Sequence, residues 1–428
     1  MFTKKTIRDI DLDGKTVLLR ADYNVPVQGG RITDDYRIKQ SLPTIEYLLK
    51  HQVRLIICSH LGRPKGPNES ALSLFPAAKR LKQLLDRPVE FVTDAGGPKT
   101  KKAVSGMKPG DVLLLENLRF FPGEKADDGD FAKELASLAD VFVQDGFAVA
   151  HRKDASTHAV TRHLPSVAGL LLEKEVKTIT QVMEAPKQPV MAIVGGAKIS
   201  DKLDALNRFI DIADFVAIGG AMANTFLAAQ GIGIGASLYD KDGLSMARDI
   251  LKKAEAEAAK RPFVFAVPHD GVVATAADKK ADTRVVDWGS HVLADIEHYP
   301  KPPPASASQV HARERILDIG PFSASFIAGA VQMVNTVIWN GTLGVTEVEG
   351  LHGTVGPFAH GTQLVTEALL GDLGHKPFTV VGGGDTVGYV ESRDLGEAFD
   401  HVSTGGGASL ELMSGHELPA VEALLDKK

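Results

Sequence analysis

Cations recur at the ends of apolar runs in the first half of this 428-residue chain. VLLRAD (Val17–Asp22), LIICSHLGR (Leu55–Arg63), VLLLENLR (Val112–Arg119) and VFVQDGFAVAHR (Val141–Arg152) set Arg20, His60, Arg63, Arg119, His151 and Arg152 at such ends, with Arg37 close by. In an open α/β sheet the carboxyl ends of the strands carry the ligand. One arginine is ordinarily solvated or ion-paired, and one histidine beside a strand is ordinarily structural. Recurrence at successive strand ends points instead to an anion. A cation at ~4 Å from a phosphate oxygen gains on the order of 4 kcal/mol before desolvation, at an effective dielectric near 20. Several together suit a small phosphorylated acid.

The second half ends its apolar runs in glycine: VMAIVGGAK (Val190–Lys198), FVAIGG (Phe215–Gly220), FTVVGGGD (Phe378–Asp385) and HVSTGGG (His401–Gly407). Glycines let backbone N–H groups approach a phosphate, and a helix N-terminus favours negative charge. In GGAKISDKLDAL (Gly195–Leu206), Ser200 is placed to cap a helix, with Lys198 and Lys202 spaced to share its face. Taken alone, this motif reads equally as a tight turn with two solvated lysines. GGGDTV adds Asp385, suited to a Mg²⁺ that bridges nucleotide phosphates or to helix capping. STGGGASLEL offers a backbone nest without its own cation. GIGIGA (Gly231–Ala236) matches a dinucleotide fingerprint formally, but the preceding MANTFLAAQ reads as helix, not strand. No G-x-x-x-x-G-K-[ST] occurs.

The elements that must hold these residues follow from periodicity. Helical spacing in Ile38, Leu42, Ile45, Leu48 and Leu49, and again from Leu74 to Leu85 after a capping Ser73, alternates with runs of Val, Ile and Leu. That alternation predicts parallel sheets with helices on both faces. Ser166–Met183 reads as one bridging helix, and HYPKPPPASAS (His298–Ser308) as an exposed loop. A net charge of -6 provides no global basic field for nucleic acid, so any anion site is local. The single cysteine, Cys58, excludes an intrachain disulfide and fits a reducing compartment. The N-terminus is too charged for a signal peptide, and the uncharged stretches Phe215–Tyr239 and Ile319–Thr346 are broken by glycines, Asn and Gln, unlike membrane spans.

LLRADYNVP, ITDDYRI, SHLGRP, LLENLRF, DGFAVAHR, VGGAKISDKL, GGAMANTFL, DIGP, WNGTLGVTE, GGGDTV and STGGGASLELM together resemble the phosphoglycerate kinase family, in order and across nearly the whole chain. The resemblance implies an α/β fold of two Rossmann-like lobes joined by a hinge helix. Its expected divisions are 1–165 for a 3-phosphoglycerate lobe, 166–183 for the hinge, 184–405 for a nucleotide lobe and 406–428 for a segment returning to the first lobe. It implies that Arg20, Asp22, Tyr23, Asn24, Arg37, His60, Leu61, Gly62, Arg63, Arg119 and Arg152 serve the glycerate substrate. Gly195, Ala197, Lys198, Lys202, Gly219, Gly220, Asn340, Glu347, Gly383, Gly384, Asp385 and Thr386 would serve ATP or ADP, with Asp385 on Mg²⁺. Arg37 and Lys198 are the expected catalytic pair, and Gly405, Gly406 and Gly407 would surround the transferring phosphoryl. The expected protein is a cytoplasmic monomer that closes on its substrates and has no nucleic-acid or membrane partner.

The chain also departs from the pattern. N-D-A-F-G-T-A-H-R-A-H stands here as Gln144–Asp154, with Ala148, Val149 and Asp154 substituted, and WNGPMGVFE has Thr342 and Thr346 in place of Pro and Phe. The segment Trp288–Ile316 is longer and richer in proline than the pattern. A non-catalytic binding protein on the same fold and a nicotinamide-dependent dehydrogenase are the competing readings. Retention of Arg37 and Lys198 argues against the first, and the missing strand-linked fingerprint against the second.

Overall fold

The computed structural model describes residues 2–66, 69–288 and 309–427. The predicted loop His298–Ser308 lies outside them. The chain divides into two compact units: residues 1–180, 404–412 and 416–428 form unit 1, and residues 181–403 with 413–415 form unit 2.

Unit 1 contains β1 (Thr16–Arg20), the short hairpin β2 (Val27–Gln28) and β3 (Arg31–Ile32), then β4 (Arg54–Cys58), β5 (Glu90–Val92), β6 (Val112–Leu115), β7 (Val141–Gln144) and β8 (Ser166–Ala168). Six of these form a parallel sheet in the order β5-β6-β4-β1-β7-β8. Successive side chains in a strand face opposite sides, and the core sorts accordingly. Val17, Leu19, Leu55 and Ile57 pack with Ile38, Ile45 and Leu48 of the helix Tyr36–Lys50. Leu18, Ile56 and Cys58 pack on the other side with Ala132 and Leu135 of the helix Gly129–Ala136. Burial of both faces explains why these strands read as unbroken apolar runs.

Two local expectations need correction. Ser166–Met183 is not one helix: Ser166–Ala168 is the edge strand β8, and the helix runs Leu170–Glu184. Gly169 makes the break. A Cβ there would lie 2.1 Å from Asp145 Oδ1, the same oxygen that accepts the Leu171 and Leu172 N–H groups. Ser73 does accept the Phe75 N–H, but it precedes the N-cap position, which Leu74 occupies. The chain ends pair within unit 1, with Lys5 N–H donating to Leu425 O and Lys427 N–H to Thr3 O.

Unit 2 contains β9 (Val190–Val194), β10 (Phe215–Ile218), β11 (Val264–Ala266), β12 (Asp270–Ala274), β13 (Arg284–Asp287), β14 (Arg315–Ile319), β15 (Thr336–Asn340), β16 (Phe378–Gly382) and β17 (His401–Val402). Its parallel sheet has the order β11-β10-β9-β15-β16-β17. Strand order reverses between β9 and β15, which opens a crevice at their carboxyl ends. β13-β12-β14 form a separate antiparallel sheet that the alternation of strand and helix did not predict. The two uncharged stretches resolve into buried strands joined by turns and partly buried helices, and no helix among the described residues is long and apolar enough to cross a membrane.

Candidate active site

Each unit carries a polar cluster at the carboxyl ends of its parallel strands. In unit 1 the order reverses between β1 and β7, and Arg20 ends β1. Arg20 is fully buried: Nε donates to Ser156 Oγ at 2.8 Å, Nη1 to Ala21 O at 2.5 Å, and Nη2 lies 3.3 Å from His60 Nδ1. The buried Glu124 carboxylate stands 3.8 Å from Nη2 and accepts from Ser156 Oγ at 2.6 Å. A guanidinium only donates, so His60 Nδ1 must accept, which leaves the proton on Nε2. Burial first, then the charges of Arg20, Arg119, Arg152 and Arg37, hold the His60 imidazole well below its ordinary pKa. Four arginines therefore surround one neutral histidine.

Arg37 sits in the first turn of the helix Tyr36–Lys50, where its Nη1 donates to Asp22 Oδ2 at 2.6 Å and to Asn24 O at 3.2 Å. Asn24 Oδ1 accepts the Gly62 N–H at 2.8 Å, and Gly62 O accepts from Arg119 Nη1 at 2.5 Å. Gly62 has φ +61, and a Cβ would meet Leu72 at 2.7 Å, so a side chain here would be strained and would displace Leu72. Arg119 Nε is buried without a protein partner among the described residues, and burial and the nearby Arg152 lower the Arg119 pKa. A buried orphan donor among like charges is suited to a ligand anion. Arg152 Nε contacts its neighbour's ring, His151 Nε2, at 3.2 Å. With His60 Nδ1 3.8 Å from Asp22 Oδ1, these contacts bring together Arg20, Asp22, Asn24, Arg37, His60, Gly62 and Arg119, and the Arg152 charge acts on both His60 and Arg119.

Three expected residues stand apart. The Tyr23 side chain is fully buried, its hydroxyl 3.2 Å from Ser41 Oγ, which makes it core. Leu61 serves through its backbone, held by Asn117 Oδ1 and Nδ2 at 3.1 and 2.8 Å. Arg63 is exposed, and no hydrogen bond or ion pair joins it to the cluster. Sequence reasoning missed Asn117, Glu124 and Ser156. Asn117 clamps Leu61, Leu72 and Arg119. Only its place just past the VLLLE run hinted at this, whereas Glu124 and Ser156 lie in polar segments that give no signal.

Gly405 and Gly407 also belong to unit 1. A Cβ on Gly405 would meet the Phe147 ring at 2.6 Å, and one on Gly407 would meet His151 Nε2 at 3.2 Å. Thr404 N–H and Oγ1 both donate to Glu175 Oε1, at 2.6 and 2.7 Å. The third glycine turn is thus anchored on the arginine-bearing unit, with Gly406 opening the helix Gly406–Met413.

In unit 2, glycines let the turns after β9, β10 and β15 touch. A Cβ on Gly195 would lie 2.0 Å from Thr342 O, one on Gly220 2.9 Å from Gly196 N, and one on Gly219 2.3 Å from Leu343 Cδ2. Lys202 Nζ turns inward and donates to Gly195 O at 2.7 Å, Asn340 O at 2.9 Å and Asn340 Oδ1 at 2.5 Å. Desolvation lowers its pKa to about 8, opposed by the charges of Asp385 and Asp201. Lys198 lies in the preceding loop, exposed and without a hydrogen bond or ion pair among the described residues. The shared helical face is therefore corrected, because the first helical turn starts only at Ser200. Ser200 makes no cap hydrogen bond either.

Gly383 has φ +89, with room for a Cβ only 3.1 Å from Asn340 Oδ1, and Thr386 Oγ1 accepts the Gly341 N–H at 2.6 Å. Gly384 and Asp385 open the helix Gly384–Glu391 and are exposed. A cavity of about 360 Å³ at these strand ends is lined by Gly196, Ala197, Gly220, Glu347 and Asp385, among others. The described residues contain no cluster of three or more metal-ligating side chains. A lone exposed carboxylate beside a phosphate-sized glycine cradle fits a Mg²⁺ delivered on nucleotide phosphates, since that ion takes few protein ligands. GIGIGA follows the helix Gly220–Ala229, so the dinucleotide fingerprint lacks its strand.

A family model described as phosphoglycerate kinase matches residues 7–416. The phosphoglycerate kinase of Moorella thermoacetica is 44% identical over 424 residues, covering 99% of this chain and 100% of the relative. That of Chloroflexus aggregans is 44% identical over 426 residues, covering 99% of each. The solved phosphoglycerate kinase of Coxiella burnetii superposes with a TM-score of 0.79 at 33% identity, covering 98% of both chains. For the Pyrococcus horikoshii structure the TM-score is 0.81 at 29% identity with the same coverage. Full-length agreement in sequence and architecture excludes the dehydrogenase reading: this chain belongs to the phosphoglycerate kinase family.

Proposed function

We propose that the unit 1 cluster binds 3-phosphoglycerate or 1,3-bisphosphoglycerate, and that the unit 2 cavity binds ATP or ADP with Mg²⁺. Family membership makes the chain a phosphotransferase of glycolysis that moves a phosphoryl group reversibly between 1,3-bisphosphoglycerate and ADP. The observation that carries the substrate assignment is the convergence of Arg20, Arg37, Arg119 and Arg152 on a neutral His60. Asp22 pairs with Arg37 and Glu124 with Arg20, which leaves Arg119 and Arg152 without an ion-pair partner among the described residues, and a phosphorylated acid would supply the missing charge.

In the ATP-forming direction the ADP β-phosphate oxygen attacks the acyl phosphorus, and the bond from phosphorus to the carboxyl oxygen breaks. No protein nucleophile is needed, so the residues position the groups and neutralise charge. The Arg119 guanidinium, held by Gly62 O with Nε free, and Arg152 would take the 3-phosphate. His60 Nε2–H, Asn24 and Asp22 would orient the glycerate hydroxyl and carboxylate, and Arg37, fixed by Asp22, would meet the transferring group. Tyr23 and Leu61 would act by packing and backbone, and Arg20 as the positioning residue behind His60.

The amides of Gly195, Ala197, Gly219, Gly220, Gly383 and Gly384, with Lys202 and Asn340, would cradle the nucleotide phosphates, and Glu347 the ribose. Asp385 would hold Mg²⁺, which neutralises phosphate charge when bound. Lys198, exposed and without a hydrogen bond or ion pair among the described residues, would turn to the transferring phosphoryl, and Gly405–Gly407 would line its path. Both substrates must meet in line, which we assign to closure of the two units around the 166–183 region, with water excluded from the acyl phosphate. A cytoplasmic monomer completes this reading, consistent with a lone Cys58 whose thiol burial pushes up to about 12.

Incubating the protein with MgATP and 3-phosphoglycerate, and trapping the acyl phosphate with a coupled reductive dehydrogenase, tests the assignment. Turnover is expected. Binding of both ligands without turnover would favour the non-catalytic reading.

A further inference from the structure

The unit 2 cavity changes character along its length. Gly196, Ala197 and Asp385 give it a phosphate-binding part, whereas Leu227, Leu238 and Trp288 give it an apolar part suited to a nucleobase. A second cavity of about 460 Å³ lies alongside, lined by Leu251, Phe265 and Val267 among others. Leu227, Pro268 and Trp288 line both cavities and so form the wall between them.

Trp288 is the broad part of that wall, and it is fixed at both ends. Its Nε1–H donates to Pro268 O at 2.7 Å. At the opposite edge of the indole, a Cβ on Gly271 of β12 would come within 2.7 Å of Cη2 and 3.1 Å of Cζ3, so the six-membered ring lies directly on the glycine backbone. An indole held by a hydrogen bond at one edge and a close glycine at the other has little freedom to swing aside. Aromatic surface of this kind also offers a purine a stacking or edge-on contact.

We propose that Trp288 is a specificity-determining residue for the nucleotide: it closes the base end of the cavity and keeps the second cavity from accepting a larger base. This rests on the reading that the unit 2 cavity holds ATP or ADP. Removing the indole would join the two cavities, so the variant should gain substrates that the native chain rejects.

The test compares the native chain with Trp288→Ala and Trp288→Phe in the 3-phosphoglycerate assay, using MgATP and ATP analogues carrying a benzyl group at N6 or an enlarged substituent at C8. The native chain should use MgATP and reject both analogues. Trp288→Ala should raise KM for MgATP roughly 3- to 10-fold with kcat retained, and improve kcat/KM for at least one analogue by roughly tenfold or more. Trp288→Phe should stay near native.

Nucleotide binding should also perturb tryptophan emission more in the native chain than in Trp288→Phe, which keeps only Trp339, whose Nε1 donates to Gly341 O beside the cradle. An unchanged KM, or rejection of both analogues by Trp288→Ala, would overturn the proposal. If Trp288→Ala does not fold, Gly271→Ala, which displaces the same ring, should raise KM for MgATP in its place, and a native KM there would overturn the proposal. Failure of the nucleotide reading shows separately, as lack of MgATP turnover and binding in the native chain.

Discussion

Lys202 Nζ donates to Asn340 Oδ1 at 2.5 Å, tying the first turn after β9 to the last residue of β15 across the point where strand order reverses. The ammonium is spent on three protein oxygens, and Asn340 Nδ2 is left buried without a partner among the described residues. An arriving phosphate would therefore compete for Lys202 while satisfying Asn340.

The lowered pKa of Lys202, about 8 against an ordinary 10.5, gives the first prediction. Between those values the unfolded chain binds more protons than the folded one, so this group makes stability rise with pH across the window. Nucleotide binding has the opposite trend, because phosphate prefers the ammonium. MgATP affinity, measured by calorimetry, should weaken as pH rises above about 8. Lys202→Met should bind MgATP roughly 10- to 100-fold more weakly, the equivalent of ~1.5–3 kcal/mol for a charged hydrogen bond, and lose that pH dependence. A variant that keeps the native pH profile would remove Lys202 from the phosphate site.

His60 gives the second. Its pKa is held far below 6.5 by burial and then by arginine charge, so below pH 6.5 the unfolded chain takes a proton that the folded chain refuses. Stability due to this residue is present above about pH 6.5 and is lost as pH falls. The denaturant midpoint of His60→Gln should fall less between pH 7 and pH 5 than that of the native chain. Nitrogen NMR should find the native ring neutral at pH 6, with the proton on Nε2. A protonated ring at that pH would contradict the arginine cluster.

How far the sequence foretold this site depended on what each residue does. Arg20, His60 and Arg119 were legible because a charged side chain at the end of an apolar run has few structural reasons to be there. Lys198 and Lys202 were visible as cations, yet their opposite orientations were not. Spacing alone implies a continuous helix, whereas the loop through Gly196, with φ +128, sends one lysine outward and the other inward. Gly169 was hidden for a related reason, since its helical neighbours masked a close approach to Asp145 that only the fold creates. Glu124 was illegible because its partner Arg20 is distant in sequence.

That pair gives the third prediction. Glu124 and Arg20 are both fully buried, with Ser156 bridging them. Removing one partner of a buried pair leaves an uncompensated charge, at about 3–5 kcal/mol. Glu124→Ala should lower stability by that order in denaturant titration, and should raise KM for 3-phosphoglycerate because Arg20 supports His60. Glu124→Gln, which keeps the shape and one acceptor for Ser156, should recover part of both. A native midpoint in Glu124→Ala would show that the pair does not anchor the site.

Lys198 separates catalysis from structure most cleanly, because nothing in the described protein depends on it. Exposed and unpaired, it can be truncated at a cost within roughly ±0.5 kcal/mol of stability. If its ammonium meets the phosphoryl group only during transfer, its contact is stronger in the transition state than in either bound ground state. Lys198→Ala should then lower kcat by roughly 10²–10³, the scale seen when one charge-stabilising donor is removed, with KM for MgATP and 3-phosphoglycerate little changed. Lys198→Arg should restore part of the loss, since charge is kept but reach and geometry differ. The opposite pattern, with KM for MgATP rising and kcat native, would make Lys198 a ground-state phosphate ligand and leave Arg37 as the cation that follows the transferring group.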